Sequence, residues 1–159
     1  MTAAPPRARP VPARHDRPFW DGLREHRLML PYCAGCAAYC YPPAPRCPRC
    51  LSAAVSWQEV PGLGTLHAWA TARRPFAPGL GAPYTVVQVA LDVQPGLLLD
   101  STLVEQPPAA PARGERVLAS DTAPPLRLGL PVTAVYLDDP RGFTVHAFTP
   151  AAARTGEAA

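Results

Sequence analysis

Tyr32-Cys33-Ala-Gly-Cys36-Ala-Ala-Tyr-Cys40-Tyr-Pro-Pro-Ala-Pro-Arg-Cys47-Pro-Arg-Cys50 holds all five cysteines of the 159-residue chain, and four of them stand as two Cys-x2-Cys pairs with ten residues between the pairs. A Cys-x2-Cys pair folds as a tight turn that aims two sulfurs at one point, and two such knuckles facing each other complete a tetrahedral thiolate site. In a reducing cytoplasm this spacing favours a metal over disulfides, the alternative that the same cysteines would allow. Four protein ligands, Cys33, Cys36, Cys47 and Cys50, leave no open coordination position, so the site is read as structural and not hydrolytic. Iron takes the same four-thiolate geometry, and zinc is preferred because the chain has no other redox feature. Cys40 is left over inside the connection and is read as a packed or partly exposed free thiol. Three prolines between the knuckles, Pro42, Pro43 and Pro45, stiffen that connection and lower the entropy cost of ordering it around a metal.

On the N-terminal side of the knuckles, residues 17–30 read as a short helix leading into a strand. Pro18 suits a first helical turn, and Phe19 and Trp20 with Leu23 supply i, i+4 and i, i+3 apolar spacing, which Gly22 weakens. Phe19 and Trp20 dock on their own ribbon or anchor a partner protein. Beyond the knuckles, short strands recur at 54–60, 63–73, 84–92, 97–104, 132–137 and 142–148. Pro61-Gly62, Pro95-Gly96 and Asp138-Asp-Pro-Arg-Gly142 punctuate them, and Gly64 is a candidate bulge or bend. Thr85, Val87, Val89 and Leu91 share one face at period two. This pattern predicts a mainly β fold: a short helix, a metal ribbon at 18–53, and a five-stranded barrel of the OB type at 54–150, with a proline-rich insertion at 105–130.

Composition agrees with strands joined by stiff loops. Proline accounts for 23 residues, but 84–104 contains only Pro95, and a proline-poor stretch is where a sheet ladder can form. Lys, Asn and Ile are absent and all 15 basic residues are Arg, a bias expected of a GC-rich genome. The net charge of +3 lies within residues 1–18, where four Arg face Asp16 alone, leaving 11 Arg against 11 Asp and Glu in the remainder. Residues 1–17 are read as a disordered basic leader and 151–159 as a disordered tail. No apolar run reaches the length of a membrane span and no signal-peptide core is present, so a cytoplasmic protein is expected.

The ordered set of motifs resembles a known family. Phe19-Trp20-Asp-Gly-Leu-Arg24, Cys33 and Cys36, Pro42-Pro43, Cys47-Pro48-Arg-Cys50, Gly62-Leu-Gly64-Thr65, Arg74-Pro75, Pro83-Tyr84-Thr-Val86 and Gly129-Leu-Pro131-Val132 are similar, in that order, to the rubredoxin-like zinc-ribbon/OB-fold family that accompanies thiolase-like and lipid-transfer-type proteins. The resemblance implies a non-catalytic accessory subunit, not an enzyme on its own. Its catalytic residues would lie on a thiolase-like, ketosynthase-like or lipid-transfer-type partner, and it would help to hold an acyl-CoA or polyketide-type substrate while a carbon–carbon bond is made or broken or an acyl group transferred. Two departures stand out. Ala37 and Leu51 occupy the positions after each knuckle where family ribbons often carry Gly, and Arg73 stands where members often place His. Arg73 and Arg74 are candidate contacts for CoA phosphates through forked, charge-assisted hydrogen bonds, or two solvated arginines at a strand end.

Zinc ribbons and OB barrels also bind nucleic acid, through a basic groove lined with stacking aromatics. A body of zero net charge offers neither in clear form, so that reading is the weaker one. A free-standing enzyme is weaker still, because none of His15, His26, His67 and His146 has a Ser, Cys or carboxylate at a spacing that marks a catalytic partner.

Overall fold

A computed structural model describes residues 8–74, 82–104 and 126–151. Residues 1–7 of the leader expected at 1–17, 105–125 of the insertion expected at 105–130 and 152–159 of the tail expected at 151–159 lie outside the described residues.

Helix α1 spans Arg17–Arg24, with a proline in its first turn and Phe19, Gly22 and Leu23 on the buried side. Gly22 is dictated by packing: a Cβ there would lie 2.4 Å from Met29 Cγ and 3.0 Å from the Arg27 carbonyl. The chain leaves α1 through His26, in the left-handed region at φ 56°. His26 N–H donates to the Leu23 carbonyl at 3.0 Å and Arg27 N–H to the Gly22 carbonyl at 2.8 Å, the Schellman pair that closes a helix C-terminus.

Strands β1 (Leu28–Cys33), β2 (Ala38–Tyr39) and β3 (Val55–Val60) form an antiparallel sheet in the order β2-β1-β3. The strand expected at 54–60 is therefore present but pairs with β1 from Leu28↔Val60 to Cys33↔Val55, adding to the ribbon sheet and not to the barrel sheet. The barrel consists of β4 (Leu63–Ala72), β5 (Tyr84–Leu91), β6 (Leu98–Thr102), β7 (Pro131–Asp139) and β8 (Phe143–Pro150), in the order β6-β5-β4-β7-β8. A parallel bridge between Leu103 and Phe148 joins the two outer members, with Val104 N–H donating to the Phe148 carbonyl at 2.8 Å. Five strands closed in this way make a near-closed OB-type barrel.

Thr85, Val87, Val89 and Leu91 are all buried, as their alternation predicted. Gly64 is not the bulge. It lies where β4 and β5 approach closely, and a Cβ there would meet the Ala90 carbonyl oxygen at 2.5 Å. The register shift falls three residues later, at His67, between Leu66↔Val89 and Ala68↔Gln88. One apolar core unites the parts: Phe19 and Leu23 of α1, Leu28, Leu30 and Val60 of the ribbon sheet, and Leu66, Val87, Leu99 and Phe148 of the barrel belong to a single buried cluster. Burying leucines of the ribbon strands against the barrel contributes about 1.5–3 kcal/mol for each side chain, so neither part is a free-standing bead.

Candidate metal centre

β1 ends on Cys33, the first knuckle turns through Cys36 into β2, and the second knuckle carries Cys47 and Cys50 shortly before β3. The β1–β2 pairing, Tyr32↔Tyr39 and Cys33↔Ala38, sets the first knuckle. In the second, Cys47 N–H donates to the Ser52 carbonyl at 3.0 Å and Leu51 N–H to the Cys47 carbonyl at 2.9 Å. These turns bring four sulfurs together, each within 4.8 Å of the others. Cys33 Sγ lies 3.7 Å from Cys50 Sγ, and Cys36 Sγ lies 3.8 Å from Cys47 Sγ. A regular tetrahedron around zinc, with Zn–S near 2.3 Å, has edges of about 3.8 Å. A disulfide needs about 2.05 Å, so these separations fit a shared metal and not cystines.

Electrostatics point the same way. Backbone N–H groups of Cys50 and Arg49 draw the Cys47 thiol down to about 6. Hydrogen bonding with Cys50 and Cys47 in the same cluster holds Cys36 up to about 12. Four thiols this close ionise together only when a cation balances them, which a divalent metal does on binding. Cys33 and Cys47 are buried and Cys50 is exposed, so the centre lies at the rim of the ribbon.

Cys40 is buried beside this group and outside it. Its Sγ lies 3.9 Å from Cys47 Sγ and 3.9 Å from the Ala38 carbonyl oxygen. Burial, chiefly, pushes its thiol up to about 11, so it stays protonated and donates its S–H to its neighbours.

The remaining sequence candidates fall in separate places. Phe19 is 5% exposed and stands edge-on to Trp20 and His146, at centroid distances of 5.4 and 5.7 Å, so it is used within the fold and is unavailable as a surface anchor. Trp20 is half-buried against the same core. Arg73 and Arg74 are exposed just beyond the end of β4, remote in sequence from the knuckles. His67 is exposed at the bulge, and His146 packs between Phe19 and Phe148.

Two contacts were invisible to sequence reading. His26 stacks on Tyr136 with ring centroids 5.2 Å apart, and its Nε2 lies 3.0 and 3.1 Å from the Asp138 carboxylate oxygens. That pairs a histidine with a carboxylate, but the described contacts of His26 include no nucleophile, and the pair joins α1 to β7. The second contact is between Gln94 and the backbone of Tyr39, across the boundary between ribbon and barrel. Neither leaves a local signal, since the partners are 112 and 55 residues apart.

A cysteine ribbon mounted on an OB barrel, with the metal position closed by four sulfurs, is a rubredoxin-like zinc-ribbon/OB protein by architecture. Residues 20–56 match the family model described as ChsH2, rubredoxin-like zinc ribbon domain, and residues 57–137 match ChsH2, C-terminal OB-fold domain. The chain belongs to the ChsH2 family. It is 30% identical over 154 residues to the probable enoyl-CoA hydratase alpha subunit of Thermomonospora curvata, covering 95% of this chain and 43% of that protein. It is 28% identical over 142 residues to the 3-oxo-4,17-pregnadiene-20-carboxyl-CoA hydratase alpha subunit of Mycobacterium tuberculosis, covering 89% of this chain and 40% of that one. The chain thus spans less than half the length of the curated relatives it matches. Among solved structures it superposes on a chain of the Ltp2-ChsH2(DUF35) aldolase with a TM-score of 0.70 at 29% identity, covering 89% of this chain and 98% of that chain. Among the described residues, no helix is long and apolar enough to cross a membrane.

Proposed function

We propose that this chain is a non-catalytic accessory subunit of a cytoplasmic acyl-CoA complex. Its partner is a thiolase-like, ketosynthase-like or lipid-transfer-type protein that carries the catalytic residues, and the complex transfers an acyl group or makes or breaks a carbon–carbon bond. One observation carries the reading: this chain covers 98% of a chain of the Ltp2-ChsH2(DUF35) aldolase, at 29% identity and a TM-score of 0.70. The two hydratase subunits extend well beyond the part that this chain matches, so hydration is not carried over from them. In this reading the four cysteines hold one zinc as a cross-link that shapes the ribbon and takes no part in bond making. The exposed face of Trp20 is a contact for the partner, and Arg73 and Arg74 meet the phosphates of a CoA thioester.

Co-expression with any thiolase-like, ketosynthase-like or lipid-transfer-type protein encoded near its gene, followed by affinity purification and size-exclusion chromatography, tests the proposal. A stable hetero-complex with acyl-CoA-dependent activity is expected. A chain that stays alone with every such neighbour sinks the reading.

A further inference from the structure

Leu51, the residue after the second knuckle, combines a side chain and a backbone that nothing else in the fold accounts for. It is 70% exposed, and its φ of 60° lies in the left-handed region, where a Cβ crowds the following carbonyl oxygen. Among the described residues, seven large hydrophobic side chains are exposed and three non-glycine residues have positive φ, and Leu51 alone is in both groups. Of the other two at positive φ, His26 has its ring engaged by Tyr136 and Asp138, and Ala37 carries only a methyl group. An exposed leucine on relaxed backbone is ordinary surface. One on strained backbone draws no burial in return for its strain, and strain of that kind gathers at functional sites.

The knuckle holds this leucine in place. Leu51 N–H donates to the Cys47 carbonyl at 2.9 Å, and Cys47 N–H donates to the Ser52 carbonyl at 3.0 Å. Arg46 Nη1 donates to the Leu51 carbonyl at 3.1 Å, and the preceding residue, Cys50, belongs to the four-sulfur group. A side chain presented on so fixed a backbone loses little chain entropy when a partner buries it. Charge adds a second feature. Arg24, Arg27 and Arg141 are each held by a carboxylate, whereas Arg46 forms no ion pair among the described residues, and no Asp or Glu lies between Glu25 and Glu59. A guanidinium has five N–H donors, so the exposed Arg46 keeps several beyond the one given to Leu51. The tip thus offers an apolar side chain beside a cation for which the ribbon supplies no carboxylate.

We infer that Leu51 is an anchor that enters an apolar pocket on the catalytic partner, with Arg46 pairing a carboxylate at the rim of that pocket. The inference rests on the accessory-subunit reading above and deepens it by naming the point of the ribbon that is seated. Two other occupants fit less well. A second copy meeting tip to tip would set Arg46 against Arg46, with no carboxylate on either tip to pair them. Single-stranded nucleic acid needs aromatic faces for its bases, and a leucine has none. Seating Leu51 also covers its neighbour Cys50, the exposed member of the four-sulfur group.

Calorimetric titration of the zinc-loaded full chain with the partner that co-purifies with it tests the anchor. Leu51→Ser, which keeps a side chain on the same backbone, should retain the zinc content and denaturant midpoint of the wild type and weaken the complex at least about tenfold. Leu51→Gly should weaken it as much while raising the midpoint, a combination that a purely structural residue does not give. Leu51→Met should keep most of the affinity. Arg46→Glu should weaken the complex more than Arg46→Ala, by setting like charges together at the rim. Zinc transfer to a chelator should be slower from the complex than from the free chain. The inference is overturned if Leu51→Ser and Leu51→Gly bind the partner as tightly as the wild type, if both lose zinc, if Arg46→Glu binds no worse than Arg46→Ala, or if the complex gives up zinc as fast as the free chain. Self-association, or binding of a single-stranded oligonucleotide, that depends on Leu51 while the partner's affinity does not, overturns it too. A complex indifferent to these variants removes the anchor and leaves the accessory-subunit reading standing, whereas a wild type that joins no partner removes both.

Discussion

The side-chain amide of Gln94 pairs with the backbone of Tyr39 as a neighbouring strand would. Tyr39 N–H donates to Gln94 Oε1 at 2.7 Å, and Gln94 Nε2 donates back to the Tyr39 carbonyl at 3.2 Å. Tyr39 closes the short edge strand that leads from one cysteine knuckle, and Gln94 sits in the turn between β5 and β6, so the clasp sets ribbon against barrel. Removing it by Gln94→Ala leaves a partly buried donor and acceptor without their partner and should cost about 1–2 kcal/mol. Gln94→Glu should be at least as harmful, because a carboxylate still accepts from Tyr39 N–H but faces the Tyr39 carbonyl with no proton to give. Thermal unfolding of the zinc-loaded chain checks this, with a fall of roughly 2–6 °C expected for either variant. Unchanged melting in both would mean that the shared core alone holds the two parts together.

Metal content separates the ligand cysteines from their neighbour. Elemental analysis should find about one zinc per chain. Binding energies of roughly 10–16 kcal/mol at structural zinc sites rival the whole stability of a domain, so Cys36→Ser or Cys47→Ser should aggregate or unfold the ribbon. Cys40→Ser should keep the full zinc content, since Cys40 lies 3.9 Å from Cys47 as a thiol neighbour and outside the four-sulfur group. Loss of zinc in Cys40→Ser would place it among the ligands. Chelation should lower the melting of the barrel too, because Leu28 and Leu30 of the ribbon sheet share one core with Leu66 and Phe148.

What sequence reading reached follows from how locally each feature is encoded. The cysteine quartet needs only two short turns, and the alternation at Thr85, Val87, Val89 and Leu91 needs only one strand, so both were legible. The destination of β3 was not: Val55–Val60 is apolar and alternating enough for either sheet, and the choice depends on β1 offering it a full-length partner. Gly64 and His67 show a subtler limit. Glycine marks both bulges and close approaches, and here it marks an approach to the Ala90 carbonyl, while the bulge sits at a residue with no distinguishing chemistry.

The positions after the two knuckles carry Ala and Leu where family ribbons often carry Gly, and the backbone explains why Gly suits them. Ala37 and Leu51 lie at φ 49° and 60°, in the left-handed region that glycine enters at little cost. A side chain there costs roughly 1–2 kcal/mol, partly offset by the larger entropy that glycine loses on folding. Leu51 is 70% exposed and Ala37 is also exposed, so neither contributes burial that glycine would forfeit. Ala37→Gly and Leu51→Gly should each stabilise the zinc-loaded protein by about 0.5–1 kcal/mol, read as a higher denaturant midpoint. A lower midpoint in both would show that these side chains make contacts worth more than their backbone strain.

His26 shares that backbone region, at φ 56°, but its ring is engaged, stacked on Tyr136 and bonded to Asp138. Asp138 is held below the usual carboxylate range, first by the Thr144 hydroxyl that donates to it at 2.7 Å and then by His26. A carboxyl whose folded pKa is depressed adds stability that is present above the pKa of the unfolded chain, about 3.9, and disappears as pH falls through the lower folded value. Because Asp138 and His26 are about half exposed in their side chains, 50% and 53%, the contribution should be small, a few tenths of a kcal/mol. The wild type should therefore lose slightly more stability between pH 5 and pH 2.5 than Asp138→Asn, whose amide still accepts from Thr144 but does not titrate. Urea midpoints measured across that window give the comparison, and parallel curves for the two proteins would exclude Asp138 as a source of acid sensitivity.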